Sequence, residues 1–143
     1  FILGASSDIG LALTKFWSSM GHKISGTYRK KSGNLLKLSD CFENLYECDL
    51  SVDGSISSCV KMIKKDGLKW DSLVICTGTM EPMGRFENCD FSDWLQNIEV
   101  NLLAPLRFLH LNLENRNKHS SVIFFSGAGT NKTWTLERRH RLD

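Results

Sequence analysis

The sequence predicts an α/β fold built on a doubly wound parallel sheet that is incomplete in this chain. Short apolar runs alternate with segments whose apolar residues recur every three or four positions, and this alternation is typical of βαβ units with right-handed crossovers. A glycine-rich turn, Gly4–Gly10, joins the first apolar run to the first helical segment. With 143 residues, of which 41% are hydrophobic, the chain can bury one core, so we expect a single domain.

The predicted elements follow one another along the chain. The run 72–76 lacks polar alternation, as expected of a strand that is buried on both faces of a parallel sheet. Ser51 or Asp53 is placed to cap the helix that follows the third strand. The predicted strands are 1–3, 23–28, 45–48, 72–76 and 121–125, and the predicted helices are 9–20, 51–65 and 92–115.

Composition excludes several classes of function. The net charge is only +2 and the basic residues are scattered, which does not favour a nucleic-acid partner. No apolar run approaches the roughly 20 residues of a membrane span, so we expect no membrane partner.

The sequence opens inside what reads as a strand, without Met, so we expect residues to be missing ahead of it. The cysteines are odd in number and lack metal-type spacing, which favours a reduced, cytoplasmic setting without a metal: Cys41, Cys48, Cys59, Cys76 and Cys89.

The turn from Gly4 to Gly10 is a candidate phosphate-binding site. Glycines let the backbone approach a pyrophosphate, and the helix that begins here offers free N–H groups. We therefore expect this turn, including Ser6, Ser7, Asp8 and Ile9, to bind a dinucleotide. The spacing has Asp8 where a middle glycine is usual, and a plain helix-capping turn is the alternative.

Arg29 follows the second predicted strand, at the position where the ribose of a dinucleotide is recognised. An acidic residue there would bond the 2′-hydroxyl, whereas a basic residue accommodates a 2′-phosphate. The sequence Tyr28-Arg29-Lys30 therefore favours NADP over NAD as the cofactor. An ordinary solvated basic loop is the alternative.

Five motifs in order along the chain resemble those of the short-chain dehydrogenase/reductase family, which has a Rossmann-like fold. The resemblance covers residues 1 to about 130, and it implies that Asp49 and Leu50 bind the cofactor, with Asp49 at the adenine, and that Thr77-Gly78 flank it. The sequence Ile75-Cys76-Thr77-Gly78 departs from the family's Asn-Asn-Ala-Gly, and a helix-entry cap is the alternative for Asp49. The motifs are Gly4–Gly10, Cys48-Asp49-Leu50, Leu73–Gly78, Val100-Asn101-Leu102 and Ser126–Gly129.

Asn101 and Pro105 form a second candidate feature. Pro105 has no N–H to donate to the Asn101 carbonyl four residues earlier, so the pair predicts a kinked helix with a free carbonyl. The resemblance implies that Asn101 holds a water in a proton relay, and a purely structural kink is the alternative.

Ser126 lies at the carboxyl end of the fifth predicted strand, where open α/β sheets bind ligands. The resemblance implies that Ser126 orients the substrate, whereas the bland alternative is a turn serine before glycines. The family then requires a Tyr followed four residues later by a Lys, and residues 130–143 contain no Tyr and therefore no such pair. His140 in that segment is expected to be exposed and not catalytic.

Together these features predict a partial NAD(P)-binding domain over 1–129 and a divergent tail over 130–143. We expect an NADP(H)-dependent oxidoreductase acting on a small carbonyl or alcohol, of which this chain is an inactive fragment, with a homo-oligomeric full-length parent. A non-catalytic nucleotide-binding module and a sugar-nucleotide epimerase or dehydratase relative are the alternatives.

Overall fold

A single parallel sheet of five strands organises the chain, in a computed structural model that describes residues 1–52 and 54–125. The strand order is β3-β2-β1-β4-β5, and every neighbouring pair is parallel. This arrangement confirms the predicted α/β fold and places the carboxyl ends of the strands on one edge. The strands are β1 (Ile2–Leu3), β2 (Ser25–Tyr28), β3 (Asn44–Glu47), β4 (Trp70–Ile75) and β5 (Arg116–Phe124).

Five α-helices connect the strands. The described helices are α1 (Asp8–Ser19), α2 (Gly33–Lys37), α3 (Ser55–Lys65), α4 (Phe91–Ile98) and α5 (Ala104–Asn112). The sequence pattern missed α2, because five residues are too few to show a helical period; its capping residue is Ser32, whose side chain accepts from the Leu35 N–H. The cap of α3 is Gly54 and not the predicted Ser51, while Asp53 lies outside the described residues.

Several boundaries differ from prediction by one or two residues, and two differences are larger. The fifth strand begins at Arg116, five residues before the predicted start. The prediction missed its first half because that half lies at the exposed edge of the sheet and is polar. The predicted helix 92–115 is interrupted by the π-helical segment Glu99–Leu103, in which the Ala104 N–H donates to the Glu99 carbonyl five residues back. The interruption ends two residues before Pro105, so the helix departs from regular α geometry where the sequence predicts a kink.

The sheet is covered on both faces, as a doubly wound fold requires. Leu3, Leu73 and Ile75 pack toward the layer that contains α3 and α5, where Phe108 is fully buried. Ile2 and Val74, which alternate with them, pack toward the layer that contains α1 and α2. Successive residues of β1 and β4 therefore serve opposite cores, which explains their continuous apolar sequence.

None of the described helices has the length and apolar character needed to cross a membrane.

Candidate functional site

A groove of about 240 Å³ lies where β1, β2, β3 and β4 end. We call it the carboxyl-end groove. It brings together residues that are far apart in sequence, and most of the predicted cofactor-binding residues line it. Of the predicted residues, Gly4, Ser6, Ser7, Arg29, Asp49, Leu50, Thr77 and Gly78 line the groove, whereas Asp8, Ile9 and Gly10 form the first turn of α1 beside it.

Gly4 is required by both its conformation and its surroundings. Its φ of +86° is one that side chains rarely adopt, and a Cβ there would lie 2.7 Å from the Thr77 Cγ2. The turn is held to β2, because Gly4 N donates to Thr27 Oγ1 at 2.9 Å and Ala5 N donates to Thr27 O at 2.7 Å. The backbone of this turn thus lies directly against the ends of β2 and β4.

Ser7 caps α1. Its Oγ accepts from Gly10 N at 3.0 Å and donates to Gly4 O at 2.8 Å. A Cβ on Gly10 would collide with the Gly4 carbonyl and with Ala5, so only glycine allows the helix to start this close to the turn. The turn therefore does cap the helix, as the alternative interpretation expected. This cap leaves the N–H groups of Asp8 and Ile9 without an acceptor inside the helix.

Arg29 and Asp49 form the charged end of the groove. Partial burial acts to raise the pKa of the Asp49 carboxyl, but the hydroxyl and amide of Ser51 and the charges of Arg29 and Lys30 lower it below its ordinary value. Asp49 Oδ1 accepts from Ser51 N at 2.9 Å and from Ser51 Oγ at 2.6 Å. Asp49 thus organises the turn after β3 and faces the basic residues after β2.

Thr77 and Gly78 lie at the end of β4. The Thr77 hydroxyl is buried and has no hydrogen-bond partner within the described part of the chain, which is costly for a polar group unless a ligand satisfies it. A Cβ on Gly78 would lie 3.4 Å from Asn101 Oδ1. The structure therefore places the π-helical segment against the end of the central strand.

Asn101 does not line the groove, although its neighbour Val100 does. Its side chain holds the loop after β4: Oδ1 accepts from Thr79 N at 2.7 Å, and Nδ2 donates to Thr79 O at 2.8 Å. Nδ2 also donates to Asn97 Oδ1 at 3.0 Å. The side chain is therefore committed to structure, and only its main-chain carbonyl could hold a water.

Sequence reasoning missed several residues that line the groove. Thr27 carries no motif signal, and Val100 belongs to a motif but was given no cofactor role; the register of β2 and the π-helical segment bring these two residues to the groove. Cys48 and Cys76 are each buried directly after a strand and also reach the groove. The missed residues are Thr27, Cys48, Ser51, Cys76 and Val100.

A larger hollow of about 440 Å³ lies at the opposite edge of the sheet, lined by residues such as His22, Lys23 and Trp70. We call it the amino-end hollow. Parallel α/β sheets bind ligands beyond the carboxyl ends of their strands, so the smaller groove is the better candidate. Across residues 1–52 and 54–125, no cluster of three metal-ligating side chains is present. Ser126, His140 and the tail 130–143 lie outside the described residues.

Comparison with known proteins agrees with this geometry. A short-chain dehydrogenase/reductase from Penicillium canescens is 27% identical over 96% of this chain and 56% of its own length. A short-chain dehydrogenase/reductase from Saccharomyces cerevisiae has the same fold, with a TM-score of 0.79, 23% identity and coverage of 94% of this chain and 55% of that one. A carbonyl reductase from Pseudomonas aeruginosa PAO1, solved in complex with NADP, has a TM-score of 0.74 at 21% identity, covering 85% of this chain and 57% of that one.

The chain thus spans about half the length of the relatives it matches. A family model described as enoyl-(acyl carrier protein) reductase matches residues 4–138, which is nearly the whole sequence. With its parallel sheet, glycine turn and carboxyl-end groove, the chain belongs to the short-chain dehydrogenase/reductase family of oxidoreductases, whose members bind NAD(P).

Proposed function

We propose that the carboxyl-end groove binds NADP(H), and that the protein to which these residues belong transfers a hydride between that cofactor and a small carbonyl or alcohol. The observation that carries the proposal is the meeting of Gly4, Arg29 and the unpartnered Thr77 hydroxyl around one groove. A glycine turn, a ribose-site cation and an unsatisfied hydroxyl together fit a dinucleotide better than a capping turn alone.

The start of α1 would hold the pyrophosphate. The N–H groups of Asp8 and Ile9 lie in the first helical turn, where the helix dipole favours an anion. The lack of a Cβ at Gly4 lets the turn pack closely against Thr77, and Gly10 brings the helix close to the turn. The negative charge of Asp8 works against a phosphate but suits the helix start, so backbone groups, and not side chains, are the expected ligands.

Arg29 would bind the 2′-phosphate, and Asp49 with Leu50 the adenine. Arg29 and Lys30 lie close enough to Asp49 to affect its ionisation, so the region already carries two cations for one carboxylate. A 2′-phosphate would balance that excess of positive charge, whereas an unmodified ribose would not. The solved carbonyl reductase with NADP shows that a relative of this fold binds that cofactor.

The nicotinamide, when bound, would supply the hydride chemistry. Thr77 and Gly78 would flank it, the Asn101 carbonyl would hold a relay water, and Ser126 would orient the substrate oxygen. Ser126 follows closely after Phe124, which pairs with Ile75 at the end of β4. These roles put the substrate side of the site between the ends of β4 and β5.

Protonation of the substrate needs an acid that these residues do not provide. The chain has two tyrosines, Tyr28 and Tyr46, and both are buried in the nucleotide half. The Tyr46 hydroxyl donates to Asp66 at 2.9 Å. We therefore propose that this chain binds the cofactor without turnover. A non-catalytic nucleotide-binding role is the alternative that also fits this proposal.

Calorimetric titration with NADPH and NADH tests the cofactor assignment. NADPH is expected to bind more tightly, and Arg29→Asp to reverse the preference. Lys31→Asp is the matched control, because it makes the same charge change in the same loop while its ammonium lies 5.7 Å from the Tyr28 ring centroid and outside the groove lining. Equal affinities in the unmutated chain, or the same reversal in Lys31→Asp, would overturn the Arg29 assignment.

Turnover tests the second part of the proposal. General acid catalysis is typically worth about 10²–10⁴-fold, so carbonyl substrates should not be reduced above background. NADPH oxidation that disappears in His140→Ala would contradict the proposal and make His140 catalytic.

A further inference from the structure

Two buried thiols lie together beside the carboxyl-end groove. Cys48 directly follows β3 and lines the groove, while Cys59 lies in the second turn of α3 behind it. Only 4% of Cys48 and 1% of Cys59 are exposed, and both belong to the core between the sheet and α3. The proposed binding of NADP(H) uses neither thiol.

The fold holds the two thiols against each other. Ser55 and Cys59 are four residues apart on α3, so they share the face that packs on the sheet. Ser55 Oγ accepts from Asp49 N at 2.9 Å, which fixes the start of α3 to the residue after Cys48. Cys59, one turn later in the same core, then lies close enough to the Cys48 thiol to affect its ionisation.

The closeness of the two thiols also shifts their pKa values in opposite directions. The neighbouring Cys59 thiol lowers the pKa of Cys48 against the opposing effect of burial, and the Ser55 hydroxyl lowers it further. The same contact with Cys48, together with burial, raises the pKa of Cys59. Cys48 is therefore the member of the pair that peroxide meets first, because it lines the groove while Cys59 lies behind it.

We propose that Cys48 and Cys59 are an oxidisable dithiol that hydrogen peroxide reaches through the carboxyl-end groove and closes to a disulfide, and that bound NADP(H) shields the pair. The shielding rests on the proposed function, whereas disulfide formation does not. Its consequence is that the cofactor-free protein is the form sensitive to oxidation.

The reaction is balanced for one peroxide. The Cys48 thiolate attacks a peroxide oxygen, the O–O bond breaks, and Cys48 becomes a sulfenic acid as hydroxide leaves. The Cys59 sulfur then attacks the Cys48 sulfur, the S–O bond breaks, and the thiol proton leaves with the oxygen as water. In sum, two thiols and one peroxide give one disulfide and two waters.

Cys76 provides an internal comparison. It lines the same groove, but it packs in the other core, and burial raises its pKa to about 11. Groove access alone would oxidise Cys76 as readily as Cys48. The proposal therefore requires Cys76 to stay reduced while Cys48 and Cys59 are joined.

Peroxide treatment of the chain, followed by maleimide blocking and peptide mapping without reductant, tests the proposal. Cleavage at Glu43, Glu47 and Asp53 puts Cys41, Cys48 and Cys59 on separate peptides. The expected product joins the Cys48 and Cys59 peptides, with Cys76 blocked by maleimide. Cys41→Ser and Cys89→Ser should retain the crosslink, and Cys59→Val should lose it.

Several outcomes would overturn the proposal. Recovery of Cys48 and Cys59 as maleimide adducts, after peroxide has oxidised Cys41 or Cys89, would show that the pair does not react. An equal yield from the urea-unfolded chain would show that the fold does not bring the thiols together.

NADP⁺ separates the two parts of the inference. At about ten times its dissociation constant it should slow crosslinking about tenfold, in proportion to the free fraction. An unchanged rate in a chain that binds NADP⁺ by calorimetry overturns the shielding. An unchanged rate in a chain that does not bind NADP⁺ overturns the proposed function, while the crosslink itself still supports the dithiol.

Discussion

The Asn101 carboxamide makes two hydrogen bonds to the main chain of Thr79, accepting from its N–H at 2.7 Å and donating to its carbonyl at 2.8 Å. Asn101 lies in the π-helical segment, whereas Thr79 belongs to the loop that leaves β4. This clamp fixes the helix that carries Val100 to the strand end that carries Thr77. On this side of the carboxyl-end groove, the Asn101 side chain holds the loop after β4 together with Asn97.

Asn101→Ala should release the loop after β4. The Thr79 N–H loses its acceptor and the Thr79 carbonyl loses one of its two donors, and the expected cost is about 1–3 kcal/mol of unfolding free energy. Hydrogen exchange at the Thr79 amide should accelerate, because that amide is held by Asn101 Oδ1. Asn97→Ala is the control, since Asn97 bonds the Thr79 carbonyl but not the Thr79 amide. Unchanged exchange at Thr79 in Asn101→Ala would show that the clamp does not hold in solution.

Gly4→Ala should destabilise the chain more than the same change at Gly21. Both glycines have positive φ, +86° and +79°, but only Gly4 has an atom in the way of a Cβ. Gly21→Ala is expected to cost about 1–2 kcal/mol for the backbone alone. Gly4→Ala adds the overlap with Thr77, for a total of about 2–5 kcal/mol.

Urea unfolding of the two variants measures this difference, and calorimetry with NADPH shows its functional side. Gly21→Ala should bind the cofactor normally, whereas Gly4→Ala should lose binding. Equal destabilisation by the two substitutions would contradict the close packing of the turn against Thr77.

The sequence allowed the fold to be predicted because its apolar residues follow different patterns in the two kinds of element. They are continuous in the buried strands and recur every three or four positions in the helices. The prediction failed where such a pattern is absent: α2 is five residues long, and the first half of β5 is a polar edge. Pro105 indicated where the helix becomes irregular, but the π-helical form of Glu99–Leu103 depends on hydrogen bonds that the amino-acid sequence does not show.

The same division applies to the candidate site. Gly4 and Arg29 could be predicted from the sequence. Glycine is the residue type that adopts the positive φ of the turn, and arginine carries the charge that a phosphate needs. Thr27 reaches the groove through the register of β2 against β1 and β3, and Val100 reaches it through the position of the π-helical segment. The contact between Cys48 and Cys59 depends on how α3 packs, so their spacing of eleven positions gave no signal.

The outer face of α4 and α5 should drive self-association. Leu95, Leu102 and Leu106 form an apolar row, with 58%, 50% and 41% of their surfaces exposed. Contiguous apolar patches on a surface mark interfaces or aggregation sites. We expect the chain to associate at tens of micromolar in sedimentation, and the double variant Leu95→Lys, Leu102→Lys to shift it toward monomer.

Phe16→Lys is the control for this experiment, because Phe16 is 59% exposed on α1, in the other layer. It should leave the association unchanged. A monomeric unmutated chain that binds no hydrophobic dye would show that the apolar row is covered.

The central claim is that the carboxyl-end groove, and not the larger amino-end hollow, holds a dinucleotide. Titration of the isotopically labelled chain with NADP⁺, followed by amide NMR shifts, locates the ligand directly. The account predicts shifts at Gly4, Ile9 and Arg29, at Leu50 and at Thr77, all at one edge of the sheet. Shifts at His22, Lys23 and Trp70 in place of these, or none at saturating NADP⁺, would contradict it.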